Sequence, residues 1–269
     1  MQSKITGGPT EVLFSAKVLN KYMVTYYRCT ETGFIQTEDP YWLKEAYSSA
    51  ITKLDVGLVY RNEMLRNLCL KLISSCFDGS KRFLDYAGGY GMFTRMMRDK
   101  GYDFYHTDIY CENLFSEYFD IADCPQQRDF EMVTAFEVFE HMVNPLEEIK
   151  RITELSDHIF FTTEIQPAGI SEISDWRYFV PETGQHISLY TLSSLEYIAK
   201  KLGFYFCSDG AGNHLFTKDK LTFNPFTEKK EPYLIRVLRR KLNRYDRNTM
   251  ERQSLLLKDF SAILGRLNK

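Results

Sequence analysis

The segment Phe83-Leu84-Asp85-Tyr86-Ala87-Gly88-Gly89-Tyr90-Gly91 constrains this chain more than any other, because an apolar run ending in an acid leads through a glycine-rich turn into a helical pattern from Met92. Glycines lack the Cβ atoms that hold a backbone away from a ligand, so such a turn lets a nucleotide-like molecule lie against the main chain. The amide groups that open the following helix then face that ligand. Asp108 stands seventeen residues after Gly91, at the end of the next apolar run. A carboxylate there accepts hydrogen bonds from both hydroxyls of a ribose. A nicotinamide-dependent oxidoreductase shows a similar loop and acid, but its fingerprint carries a third glycine three residues after the second. Thr94 occupies that place here.

Short apolar runs alternate with helical patterns through the middle of the chain, which predicts stacked βαβ units and a mainly parallel sheet. Strands are expected at 81–86, 103–107, 131–136, 158–163, 204–208 and 214–217, with helices at 92–100, 145–155 and 192–202. Met64, Leu65, Leu68, Leu72 and Ile73 mark a further helix before the first of these strands. Three regions follow: a mainly helical lead-in over 1–60, a ligand-binding sheet domain over 61–219, and a basic helical tail over 220–269. In the tail, Leu234, Leu238 and Leu242 share one helical face, and a second apolar stripe runs from Leu256 to Leu267.

The order apolar-Asp-x-Ala-x-Gly-x-Gly at 84–91 resembles the first motif of class I S-adenosylmethionine-dependent methyltransferases, with Ala87 where a glycine usually stands. A second string, Val133-Thr134-Ala135-Phe136-Glu137-Val138-Phe139-Glu140-His141, is similar to the fourth-strand motif of a branch of that family. That branch holds quinone-biosynthesis methyltransferases and those that tailor sugars and surface polysaccharides. The resemblance implies a Rossmann-like α/β fold with a mainly parallel seven-stranded sheet and helices on both faces. It also implies S-adenosyl-L-methionine as cofactor, bound by Asp85, Ala87, Gly88, Gly89, Gly91, Asp108 and Phe136, with Arg61 pairing the cofactor carboxylate. Asp120 and Asp123 both fall where the adenine-pocket acid belongs.

Transfer of a methyl group to a hydroxyl needs alignment and removal of one proton, and histidine is the base best matched to neutral pH. His186 lies in an aromatic insertion, Trp176 to His186, which resembles that of sugar-tailoring methyltransferases. His141 closes the fourth-strand motif, and Glu164 follows the fifth strand, so these three are the candidate catalytic residues. A sugar or glycan hydroxyl is the expected acceptor. A noncatalytic cofactor-binding scaffold and a nicotinamide enzyme are the alternatives.

Six scattered cysteines without a Cys-x-x-Cys pair, and no His/Cys/Asp cluster at ligand spacing, predict chemistry without a metal. A net charge of −2 gives no reason to expect nucleic acid as a partner. No apolar run reaches bilayer-spanning length, so a cytoplasmic protein is expected, with contact to an anionic inner membrane face through the basic tail, or a homodimer through its apolar stripe.

Overall fold

The computed structural model describes residues 1–48, 52, 54–167, 173–227 and 252–267. The predicted βαβ units form one six-stranded sheet. Its strands are β4 (Arg82–Tyr86), β5 (Asp103–Thr107), β6 (Met132–Phe136), β7 (His158–Thr162), β9 (Tyr205–Ser208) and β10 (Asn213–Thr217), in the order β5-β4-β6-β7-β10-β9. The first four run parallel, and β10 lies antiparallel to both β7 and β9. Seven strands were expected; beside β5 there is instead an isolated parallel bridge, His106 to Asp120. The chain at 108–120 is spent on side-chain-held turns around Asp108 and Asn113, which leaves too little extended backbone for an edge strand.

Alternation along the strands sends successive side chains to opposite layers. Phe83, Phe104, Met132, Phe160 and Leu215 pack with α2 (Leu58–Cys76) and α3 (Met92–Arg98). Leu84, Val133, Ile159, Phe161 and Phe216 pack with α4 (Pro145–Thr153) and α5 (Leu192–Leu202). Helices therefore cover both faces, as the near-continuous apolar strands require.

The lead-in is not mainly helical. Residues 10–37 form an antiparallel sheet of β1 (Thr10–Val18), β2 (Tyr22–Cys29) and β3 (Ile35–Thr37), and among the described residues only the short α1 (Leu43–Ala46) is helical before α2. Leu19 and Asn20 both take positive φ, and the Lys21 amide donates to the Val18 carbonyl at 2.9 Å, which is the mirror-image turn that suits a twisted hairpin. The usual glycine of such turns is absent, and the aromatic content of β1 and β2 reads as readily as helix core.

The small sheet is completed by β8 (Ser188–Leu189), which pairs with β3. A boundary at residue 60 thus separates elements that share one sheet. Trp42 Nε1 donates to the Gly184 carbonyl at 2.9 Å, and the Leu19 amide to the Pro181 carbonyl at 2.9 Å, so this sheet grips the segment leading into β8.

At the C-terminal end, α6 (Leu256–Leu267) docks through a polar anchor: Asp259, 2% exposed, pairs with Arg98 at 2.8 Å and Arg95 at 2.9 Å. Leu257, Phe260, Leu264 and Leu267 face outward. The basic cluster Lys229, Lys230, Arg236, Arg239, Arg240, Lys241, Arg244 and Arg247 lies outside the described residues, as do Leu234, Leu238 and Leu242. Among the described residues, no helix is long and apolar enough to cross a membrane.

Candidate active site

Parallel strands open their carboxyl ends onto a common crevice. Here that crevice is a cavity of about 470 Å³ lined by the turn after β4, the end of β5, the segment after β6, α1, the start of α2 and the segment 177–186. Of the expected cofactor residues, Arg61, Asp85, Ala87, Gly88, Gly89, Asp108 and Phe136 line it. Gly91 lies one residue beyond the lining Tyr90 and opens α3 with φ +79, where an added Cβ would collide with Asn113 and Ser116.

Asp85 supports the turn from beneath. Its carboxylate is 2% exposed and accepts from the Thr134 hydroxyl at 2.9 Å and the Thr94 hydroxyl at 3.2 Å. Burial pushes its pKa up to about 6, against the pull of His106 and both hydroxyls. A side chain at Gly88 would strike Asp85 and His106, so the glycine is what lets the turn close over this acid. Ala87 takes φ +54, the left-handed region that glycine adopts without a Cβ clash. The missing glycine of the motif is therefore replaced by a strained alanine, and the turn keeps its shape.

Asp108 binds the turn from the side: Oδ2 accepts from the Gly89 amide at 2.9 Å, and Oδ1 from the Tyr110 and Cys111 amides at 2.7 and 2.8 Å. Arg61 points its guanidinium at Asp55 through two bonds of 3.1 and 2.7 Å. Neither Asp120 nor Asp123 is among the lining residues. Asp120 is held by His106 and Asn113, and Asp123 pairs with Arg266 of α6 at 2.6 Å.

Of the candidate catalytic residues, His141 and His186 are brought together, with ring centroids 5.1 Å apart, and both line the cavity. His141 Nδ1 donates to the Gln185 carbonyl at 3.1 Å, and His186 Nδ1 to the Tyr178 carbonyl at 2.8 Å, the tautomers that a carbonyl partner demands. Burial holds His141 down at about 3, with His186 adding to the shift, and burial likewise lowers His186. Glu164 is not among the lining residues; Trp176 Nε1 and Arg177 each donate to it at 3.2 Å.

Two carboxylates escaped the sequence reading. Glu140, fully buried, accepts from the Tyr178 hydroxyl at 2.5 Å through Oε1. Glu137 lines the cavity, takes φ +54 as Ala87 does on the neighbouring strand, and accepts from the Thr162 hydroxyl at 2.8 Å. Burial raises both to about 7, and for Glu137 the adjacent Glu140 adds to the rise. Their signal was present in Glu137-x-x-Glu140-His141, but the third partner, His186, comes from far along the chain. The expectation that no metal-ligand cluster exists is corrected on this point: Glu140, His141 and His186 offer ligand atoms within 4.8 Å of one another. Tyr47 and Tyr110, stacked at 4.5 Å, complete an aromatic wall.

A family model described as a methyltransferase domain matches residues 60–208. No curated protein matches the chain. Among solved structures it is similar to magnesium protoporphyrin IX methyltransferase from Synechocystis, crystallised with S-adenosylhomocysteine, at 11% identity over 66% of this chain and 95% of that one, with a TM-score of 0.42. It is also similar to 1,6-didemethyltoxoflavin-N1-methyltransferase from Burkholderia thailandensis, at 10% identity over 72% and 93% of the two chains, with a TM-score of 0.46. The family match spans more than half of the chain and takes in the glycine turn, Asp108 and the histidine pair. The protein therefore belongs to the methyltransferase domain family, with the class I Rossmann-like fold, and is an S-adenosyl-L-methionine-dependent methyltransferase.

Proposed function

We propose that this enzyme methylates a hydroxyl oxygen of a small polar acceptor, a sugar or glycan intermediate. The observation that carries the reading is that one cavity holds both the glycine turn and the His141–His186 pair. The cofactor, when bound, supplies an electrophilic methyl group on a sulfonium. Gly88, Gly89 and Asp108 hold its nucleoside part against the turn, and Arg61 meets its carboxylate. Tyr47, Tyr110 and Tyr178 offer flat apolar faces, and Thr183, Gln185 and His186 add polar groups, a mixture that suits a sugar ring better than a lipid tail. The histidine pair receives the acceptor hydroxyl and eases loss of its proton.

A cofactor-consumption screen against nucleotide sugars and glycan fragments tests this. Turnover with a hydroxyl acceptor is expected, and His186→Ala lowers the turnover number by about 10²–10⁴ while cofactor affinity is kept. Turnover only with amine or thiol acceptors overturns it.

A glycan acceptor assembled at a membrane also motivates a peripheral contact, through the basic cluster over 229–247 and the outward stripe of α6. Co-sedimentation with anionic vesicles should then fall as salt rises. Equal binding to neutral vesicles removes this contact.

A further inference from the structure

With Glu140 ionised, the groups that converge beside the histidine pair are all acceptors. His141 and His186 commit their Nδ1 protons to backbone carbonyls, so each Nε2 presents a lone pair, and among the described residues neither Nε2 has a hydrogen-bond partner. Glu140 Oε2 is buried and likewise has no hydrogen-bond partner among the described residues, and Glu140 Oε1 lies 3.9 Å from His141 Nε2. An acceptor hydroxyl carries one proton and satisfies one of these three groups. A divalent cation satisfies all three at once and offsets the buried carboxylate.

From this convergence we propose that Glu140, His141 and His186 hold a divalent transition-metal ion, whose remaining coordination positions take the acceptor hydroxyl. Two imidazoles and one carboxylate with open positions suit ions such as Mn²⁺, Fe²⁺, Co²⁺ or Zn²⁺. Metal–ligand bonds of about 2.0–2.2 Å place ligand atoms roughly 3–3.5 Å apart, so atoms within 4.8 Å of one another need only a small closing movement. The two backbone carbonyls on Nδ1 supply the orienting contacts that ligating histidines have. Tyr178 does the same for Glu140.

The inference rests on the hydroxyl-acceptor reading and deepens it. The cation weakens the acceptor O–H bond, and that proton leaves to solvent water. The oxygen pair then forms the new C–O bond while the methyl–sulfur bond breaks and its pair stays on sulfur. His186 thereby serves as a ligand, and the acceptor proton passes to water instead of to its ring.

The test is titration of the chelator-treated full chain with Co²⁺, followed by visible absorption, with S-adenosylmethionine calorimetry on the same samples. One Co²⁺ per chain with a visible ligand-field band is expected. His141→Ala, His186→Ala and Glu140→Gln should each weaken Co²⁺ at least tenfold while cofactor affinity stays within about twofold. His186, being partly exposed, is the variant best able to fold if Glu140→Gln does not. Intact cofactor binding with no Co²⁺ band, or a band unchanged in His186→Ala, overturns the metal site and leaves the methyltransferase reading in place. Failure of the hydroxyl-acceptor screen with the band intact sinks that reading alone.

Discussion

The Asp108 carboxylate accepts the Gly89 amide at 2.9 Å, so the acid that ends β5 and the turn that follows β4 are one hydrogen-bonded unit. The expected ribose ligand is thereby also a brace for the glycine turn. Asp108→Ala removes both functions. The expected loss is about 1.5–3 kcal/mol of cofactor binding, the range for hydrogen bonds to a charged group, or roughly 10–150-fold in Kd. Calorimetry giving an unchanged Kd removes Asp108 from the nucleoside site.

Ala87 and Gly91 make a matched pair of predictions about the turn. Ala87 sits at φ +54, a conformation that costs an L-residue roughly 1–2 kcal/mol, so Ala87→Gly should leave the melting temperature equal or higher and cofactor affinity intact. Gly91→Ala adds a Cβ at φ +79 that meets Asn113 and Ser116. A lowered melting temperature is expected, together with weaker cofactor binding. A tolerated Gly91→Ala would mean that the 113–116 turn yields easily.

These two positions also show what was legible in the sequence. The turn, its acid and the sheet were readable because strand alternation and glycine spacing are local, and β5 and α5 fall on their predicted bounds. The β1–β2 hairpin was not, because its turn is made by Leu19 and Asn20 without glycine and its strands carry aromatics that fit either period. The cluster of Glu140, His141 and His186 was half legible: the first two are neighbours, whereas the segment of His186 is brought to them by the small sheet through Trp42 and Gly184 and by the Ile187 amide on the Glu140 carbonyl. Arg61 was read as a partner of the cofactor carboxylate, whereas its guanidinium is bonded to Asp55, six residues before it.

His214 predicts an acid-sensitive core. It is fully buried, donates from Nε2 to the Thr163 carbonyl at 3.0 Å, and accepts at Nδ1 from the Ser208 hydroxyl at 2.9 Å. Burial holds its pKa down at about 4, against the Thr163 carbonyl and the Asp209 carboxylate, which pull upward. An unfolded histidine titrates near 6.5, so between roughly pH 6.5 and 4 the unfolded chain takes up a proton that the native chain refuses. The stabilisation is thus complete above about pH 6.5 and is lost as pH falls through 4. His214→Gln keeps a neutral donor and acceptor without titrating. Urea unfolding should show wild type losing roughly 3 kcal/mol relative to the variant between pH 7.5 and 4. A difference that is flat with pH contradicts the buried neutral ring.

The docking of α6 depends on charge more than on apolar burial. Asp259 is nearly inaccessible and bonds Arg98 through Nε and Nη2 at 2.9 and 2.8 Å, while Arg95 approaches at 2.9 Å. Arg98 is further held by Asp103 and the Phe104 carbonyl, both at 2.7 Å, so it is already fixed in the sheet layer before the helix arrives. Leu256, Leu257, Phe260, Leu264 and Leu267 face outward and contribute little to this contact, and Ile263 is only partly covered. Removing Asp259 leaves Arg98 with Asp103 and Arg95 with Asp99, so the cost falls below the about 3–5 kcal/mol of a buried pair broken outright, and it falls on the contact that holds the helix. Asp259→Ala should therefore release α6, seen as faster amide exchange over 256–267 and earlier protease cleavage there. The cavity is lined by the opposite ends of α3 and β5 from those that hold Asp259, so cofactor affinity should change little. A companion Arg98→Met keeps the volume without the charge and should be worse when made alone than together with Asp259→Leu. If exchange over 256–267 stays as slow in Asp259→Ala as in wild type, the helix is held by something other than this pair.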